Sequence, residues 1–151
     1  MSRPTPDEWG LQLAMVTSLR GTCTRRKVGC VLTNDRGQVV ATGYNGPPRG
    51  FAHCTPEHPC PGATALSGTG LDLCEAVHAE QNALLQCAEV HEVQTCYVTA
   101  SSCVTCVKLL LNTACRRIVF LEPYPHDAAR ELWTRDAGRE WIHLNLLEKL
   151  P

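Results

Sequence analysis

The sequence predicts an α/β fold in which a mixed five-stranded sheet is covered by helices in a three-layer α/β/α arrangement. Three observations carry that expectation. Two β-patterned runs near the start, residues 28–33 and 39–44, are separated by turn formers and read as a hairpin. From residue 74 onward helical and strand spacing alternate, as they do in β-α-β units. At 151 residues, 44% hydrophobic and 19% charged, the chain suits a single globular domain (1–151) with a core of its own.

The first helix opens at Pro6-Asp7, with Asp7 the candidate N-cap, and Trp9, Leu11, Leu13, Ala14, Val16 and Leu19 continue its spacing as far as Gly21. It should pack on the sheet. Val28-Gly29-Cys30-Val31-Leu32-Thr33 is a continuous run, Asn34-Asp35-Arg36-Gly37 is rich in turn formers, and Val39 to Tyr44 resumes the β pattern. Residues 45–73 then break regular structure with Gly46-Pro47-Pro48, Pro56, Pro59, Pro61-Gly62 and Gly68-Thr69-Gly70. So long a loop in a compact domain is usually functional, or held by something other than packing. It carries His53, Cys54, His58 and Cys60, and Cys74 follows it. The remaining elements are a helix over 74–88, a strand over 94–100, a helix beginning at Ser102 or its neighbours, a strand over 117–121, a helix over 127–137 and a strand over 141–146. There is no internal repeat.

Composition narrows the partners. A net charge of -1 gives no basic footprint for long nucleic acids, so a small molecule is favoured. No apolar run reaches the length of a membrane span, and the N-terminus lacks the apolar region of a signal peptide. The expected address is the cytoplasm, that of the host for a phage-encoded chain. In that compartment ten unevenly grouped cysteines point to metal binding rather than to a disulfide framework.

His78, Cys103 and Cys106 supply the three protein ligands of a catalytic zinc, which keeps its fourth position for water. The two cysteines fall in the first turn of a helix, where thiolate is favoured. Glu80 lies two residues from His78, near enough to move protons without binding metal. His-x-Glu followed by Pro-Cys-x-x-Cys is the zinc deaminase signature, with the glutamate as general acid and base. Ser102 stands where that signature has proline. It is expected to cap the following helix and to stay clear of the ligand set.

With these residues in place, a resemblance can be stated. His78-Ala79-Glu80-Gln81-Asn82-Ala83-Leu84, the pair Cys103 and Cys106 after Tyr97-Val98-Thr99, Val28-Gly29-Cys30-Val31, and Gly43-Tyr44-Asn45-Gly46 with Pro48, Gly50, His53 and Cys54 resemble the cytidine deaminase superfamily, and within it the dCMP deaminases of bacteria and phages. The resemblance implies a cytidine deaminase-like fold and hydrolytic loss of ammonia from C4 of dCMP, giving dUMP. It implies that Asn45 contacts sugar or phosphate, that the Ala79 backbone faces the base, and that Tyr124 lies near the substrate. Arg25, Arg26 and Arg49 are the cations available for a phosphate. Asn45 reads equally well as a turn residue, and each arginine as solvated surface.

Relatives of this type also carry a second, structural zinc, for which Cys23, Cys54, Cys60 and Cys74 are the candidate ligands, with His53 and His58 competing. By the same resemblance the chain is expected to assemble as a homo-oligomer, a hexamer by preference, and to respond to dCTP and dTTP, with magnesium accompanying the bound nucleotide effector. The alternatives are a deaminase for another cytosine nucleotide or nucleoside, such as dCTP or 5-substituted dCMP, and a zinc-stapled binding module without chemistry.

Overall fold

The computed structural model describes residues 2–66, 69–70, 73–125 and 127–146. Among them the order is α1 (Pro6–Ser18), β1 (Gly29–Thr33), β2 (Val39–Tyr44), α2 (Ala79–Gln86), a 3-10 turn (Val90–Glu92), β3 (Thr95–Ala100), α3 (Val104–Leu111), β4 (Arg117–Glu122), α4 (Asp127–Thr134) and β5 (Glu140–His143). The strands form one sheet in the order β2-β1-β3-β4-β5. β1 is antiparallel to β2 and β3, whereas β3, β4 and β5 run parallel, so the sheet is mixed as expected.

Alternation along the central strands sorts the core into two layers. Cys30, Leu32, Cys96, Val98, Ile118 and Phe120 face α2, α3 and α4 and pack with Ala83, Val107, Leu110 and Trp133. Val31, Tyr97, Val119 and Leu121 face the opposite way, onto Leu11 and Ala14 of α1. One helix covers one face and three cover the other. That is the three-layer arrangement.

Three local expectations are corrected. Thr5, not Asp7, caps α1, its hydroxyl accepting from the Glu8 amide at 3.1 Å. Asp7 is instead taken by the sheet: it receives Tyr97 Oη at 2.7 Å and both Arg117 nitrogens at 3.0 and 2.7 Å, tying the start of α1 to β3 and β4. The helix expected from Cys74 begins only at Ala79, because Val77 pairs with Gly46 through bonds of 2.7 and 3.2 Å that keep the backbone extended. At the C-terminal side α4 stops at Thr134 and β5 at His143, and Leu146, read as strand, is buried beyond the strand's end.

Two glycines set how closely the helices approach. A Cβ on Gly29 would fall 2.0 Å from the Ala14 carbonyl oxygen of α1. One on Gly43 would fall 2.3 Å from the Ala79 oxygen and 2.4 Å from the Ala83 nitrogen of α2. Both obstacles are backbone, so a whole helix would have to move. Gly43→Ala is expected to lower stability by about 1–3 kcal/mol, the range for overpacking, and to reduce zinc retention because α2 carries His78. Thermal unfolding and zinc content per chain measure both; an alanine variant matching the parent in each would show that α2 yields freely.

Candidate active site

The carboxyl end of β3, the N-terminus of α2 and the N-terminus of α3 meet at one end of the sheet. Each helix delivers its residue from the cap. His78 is the N-cap of α2, with its own amide donating to Gln81 Oε1 at 2.8 Å, and Cys103 is the N-cap of α3. Cys106 lies one turn further and is buried. His78 Nδ1 stands 3.5 Å from Cys103 Sγ and 3.3 Å from Cys106 Sγ.

This donor set fits zinc. In a tetrahedral site, bonds of about 2.3 Å to sulfur and about 2.0 Å to nitrogen put each S···N pair about 3.5 Å apart. The two measured separations agree with that. Among the described residues this is the one group of three or more His, Cys, Asp or Glu ligand atoms all within 4.8 Å of one another. Hydrogen bonding from Cys106, then from His78, brings the Cys103 thiol down to about 4 although burial opposes it. Cys106, hydrogen-bonded to that thiolate and buried, is pushed up, and His78 is raised chiefly by its bond to Cys103. A bound cation would deprotonate both thiols and take the imidazole in its neutral form.

Glu80 follows on the same turn of α2 with 4% of its surface exposed. Burial pushes its carboxyl above the usual carboxylate range. Oε2 lies 3.5 Å from Cys106 Sγ, and Oε1 accepts the Ser102 hydroxyl at 2.9 Å. The expectation that Ser102 caps α3 is thus overturned. Cys103 occupies the cap, and the Ser102 side chain turns into the interior, where it is 2% exposed.

A cavity of about 410 Å³ opens at this group, lined by His78, Ala79, Glu80 and Cys103 together with Arg25, Arg26, Asn45 and Tyr124. Asn45 is buried, with Oδ1 accepting from the Val28 amide at 2.9 Å and Nδ2 donating to the Arg26 carbonyl at 2.7 Å. Its amide therefore clamps the segment leading into β1 while forming part of the wall. The Arg26 guanidinium lies over the Tyr124 ring at 5.5 Å and reaches Glu122 at 4.0 Å, and its buried Nη1 has no hydrogen-bond partner. Arg49 is exposed in the loop after β2 and is not part of the cavity lining.

Sequence reasoning missed three contributors. Ser102 was misread because a serine before a helix usually caps it. Arg25, taken only as a cation, donates to the carbonyls of Gly62, Leu66 and Thr69 at 2.7 to 3.2 Å and fastens the long loop beside the cavity. Ser101 accepts the Tyr124 amide at 2.7 Å and fixes the turn after β4. Neither of the last two bonds leaves a spacing signal in the sequence.

The cysteines of the long loop are joined in smaller groups. Cys54 Sγ meets the Cys60 amide at 3.3 Å and Thr24 Oγ1 at 3.2 Å. Burial works against it, but those bonds bring the Cys54 thiol down to about 7. Cys74, held up by burial, is within electrostatic reach of Cys23 and Cys60. His53 and His58 are exposed.

Comparison with known proteins agrees with this geometry. Residues 4–122 match the sequence model of the cytidine and deoxycytidylate deaminase zinc-binding region. The deoxycytidylate deaminase of Mycobacterium phage D29 is 40% identical over 126 residues, 80% of this chain and 97% of the phage protein. That of Schizosaccharomyces pombe is 35% identical over 140 residues, 90% of this chain but 43% of the yeast protein. The chain thus spans less than half the length of that relative, and 44% of the Saccharomyces cerevisiae one. The cyanophage S-TIM5 dCMP deaminase, solved with dCMP and dUMP, superposes with a TM-score of 0.74 over 95% of this chain and 100% of its own at 22% identity, a likeness of fold. From its ligand geometry and from the match over most of its length, the chain belongs to the cytidine and deoxycytidylate deaminase family.

Proposed function

We propose that this chain catalyses zinc-dependent hydrolysis of dCMP to dUMP and ammonia. The observation that carries the reading is the buried Glu80 carboxyl, held between the metal ligands and a nucleotide-sized cavity. The 40% identity to a phage deoxycytidylate deaminase over nearly that protein's whole length supports the choice of substrate.

When bound, zinc supplies an activated water and positive charge for the transition state. His78, Cys103 and Cys106 would hold it. Glu80 carries the protons: it takes one from the attacking water and delivers it to N3 of the pyrimidine, then takes the second from the hydroxyl added at C4 and delivers it to the amino group, which leaves as ammonia as the C4–N bond breaks. Burial raises its carboxyl, which eases its taking up a proton. The Ala79 backbone at the start of α2 borders the base, and first-turn amides have no partner within a helix. The unpartnered Nη1 of Arg26, a residue of the lining, supports Arg26 as the cation for the phosphate, with Asn45 and Tyr124 as further residues of that lining.

Ammonia release from dCMP, dCTP, deoxycytidine and 5-substituted dCMP, assayed in parallel, tests the assignment. dCMP is expected to give the highest kcat/KM. A preference for the nucleoside would overturn the phosphate role given to Arg26.

The proposal extends to a second zinc on Cys23, Cys54, Cys60 and Cys74, supported by the Cys54–Cys60 contact and by Cys74 lying within electrostatic reach of Cys23 and Cys60. Such a clip would order the long loop. Purified protein is expected to hold two zinc ions per chain and to fall to one in Cys60→Ser; one per chain in both would remove the second site. Assembly as a homo-oligomer, a hexamer by preference, is supported by apolar surface at Val16, Leu19 and Leu85. Response to dCTP and dTTP, with magnesium accompanying the effector, and a cytoplasmic location rest on the family resemblance.

A further inference from the structure

We infer that Ser102 is a positioning residue for the general acid-base carboxylate, holding Glu80 so that Oε2 is the oxygen turned to the metal ligands. The inference rests on the deaminase reading above. A carboxylate at the end of a glutamate side chain turns easily about its last torsion. Two oxygens compete for one working direction unless something distinguishes them.

Here something does. Ser102 Oγ donates to Oε1 at 2.9 Å, and Cys106 Sγ lies 3.5 Å from Oε2. The bond to Ser102 crosses from the loop before α3 to the first turn of α2, spanning 22 positions in sequence, and both side chains are buried. A metal ion takes the Cys106 thiol proton and with it that thiol's ability to donate. The Ser102 hydroxyl keeps its proton and remains a donor in the loaded enzyme.

Proline, which the deaminase signature has at this position, offers neither hydroxyl nor amide hydrogen. Here the side chain supplies a fixed donor to Glu80 that proline could not. The consequence is for turnover rather than for substrate affinity, since the bond orders the group that moves protons. Loss of a positioning contact to a reacting group is worth about tenfold or more in rate.

The test compares Ser102→Ala and Ser102→Thr with the parent, reading kcat, KM for dCMP, zinc per chain and Tm, with Glu80→Gln alongside. Ser102→Ala is expected to lose about tenfold in kcat with KM and zinc content unchanged and Tm lowered by the loss of one buried hydrogen bond, and Ser102→Thr, which keeps the hydroxyl, is expected to restore both kcat and Tm. An alanine variant with parental kcat overturns the inference, as does one whose loss of kcat is accompanied by loss of zinc or by a raised KM for dCMP. A threonine variant as slow as alanine overturns it too. If Glu80→Gln itself turns over dCMP, the deaminase mechanism fails and not merely this refinement of it.

Discussion

Glu80→Gln is expected to fold, to bind zinc and to release ammonia from dCMP at least 10²–10⁴-fold more slowly, the range contributed by a general acid-base group. The substitution keeps size and shape. Its amide oxygen can still accept from Ser102, and its NH2 can donate to the Cys106 sulfur, so neither contact made by the carboxylate is orphaned. What is lost is the ability to exchange a proton. Stability should not fall and should rise slightly, because burial already disfavours the carboxylate and the neutral amide carries no such cost. Zinc analysis, thermal unfolding and ammonia release separate these effects. Undiminished turnover would remove Glu80 from the mechanism.

Replacing Cys106 by alanine has the other large effect, and it acts on stability as well as rate. Cys106 is fully buried, with Sγ 3.3 Å from His78 Nδ1, and it completes the group of three whose ligand atoms all lie within 4.8 Å of one another. Zinc content at the catalytic site is expected to collapse, and activity with it. Because metal binds the folded chain, its loss also withdraws stabilisation of about 4 kcal/mol where free zinc stands near a thousand times Kd. The Tm of the variant should therefore lie below that of the parent and fall less than the parent's when chelator is added, because only the loop zinc is left to remove. Retained zinc with retained turnover would refute the ligand assignment.

These effects follow from residues that were legible in the sequence for a physical reason. His78, Cys103 and Cys106 serve from helix starts, where spacing along the chain dictates position in space, and the structure brings their ligand atoms together. The second strand, Val39–Tyr44, was readable residue for residue because turn formers bound it and side chains in a strand alternate. What could not be read was decided by distant partners. Asp7 has the look of a cap until Arg117 and Tyr97 claim it. Residues 74–78 carry helical spacing, but Val77 finds Gly46. Ser102 has cap chemistry and spends it on Glu80. In each case long-range hydrogen bonding outweighed a local preference.

Both ligand-bearing helices are only eight residues long. Segments of two turns do not persist in water on their own, so α2 and α3 exist because the sheet receives their apolar sides. His78 and Cys103 are consequently strangers until β1, β2 and β3 have assembled. During synthesis the nascent chain can present a Cys-x-x-Cys pair early, but the three-ligand seat comes only with the finished sheet, so selection of the catalytic metal is postponed until folding is nearly complete.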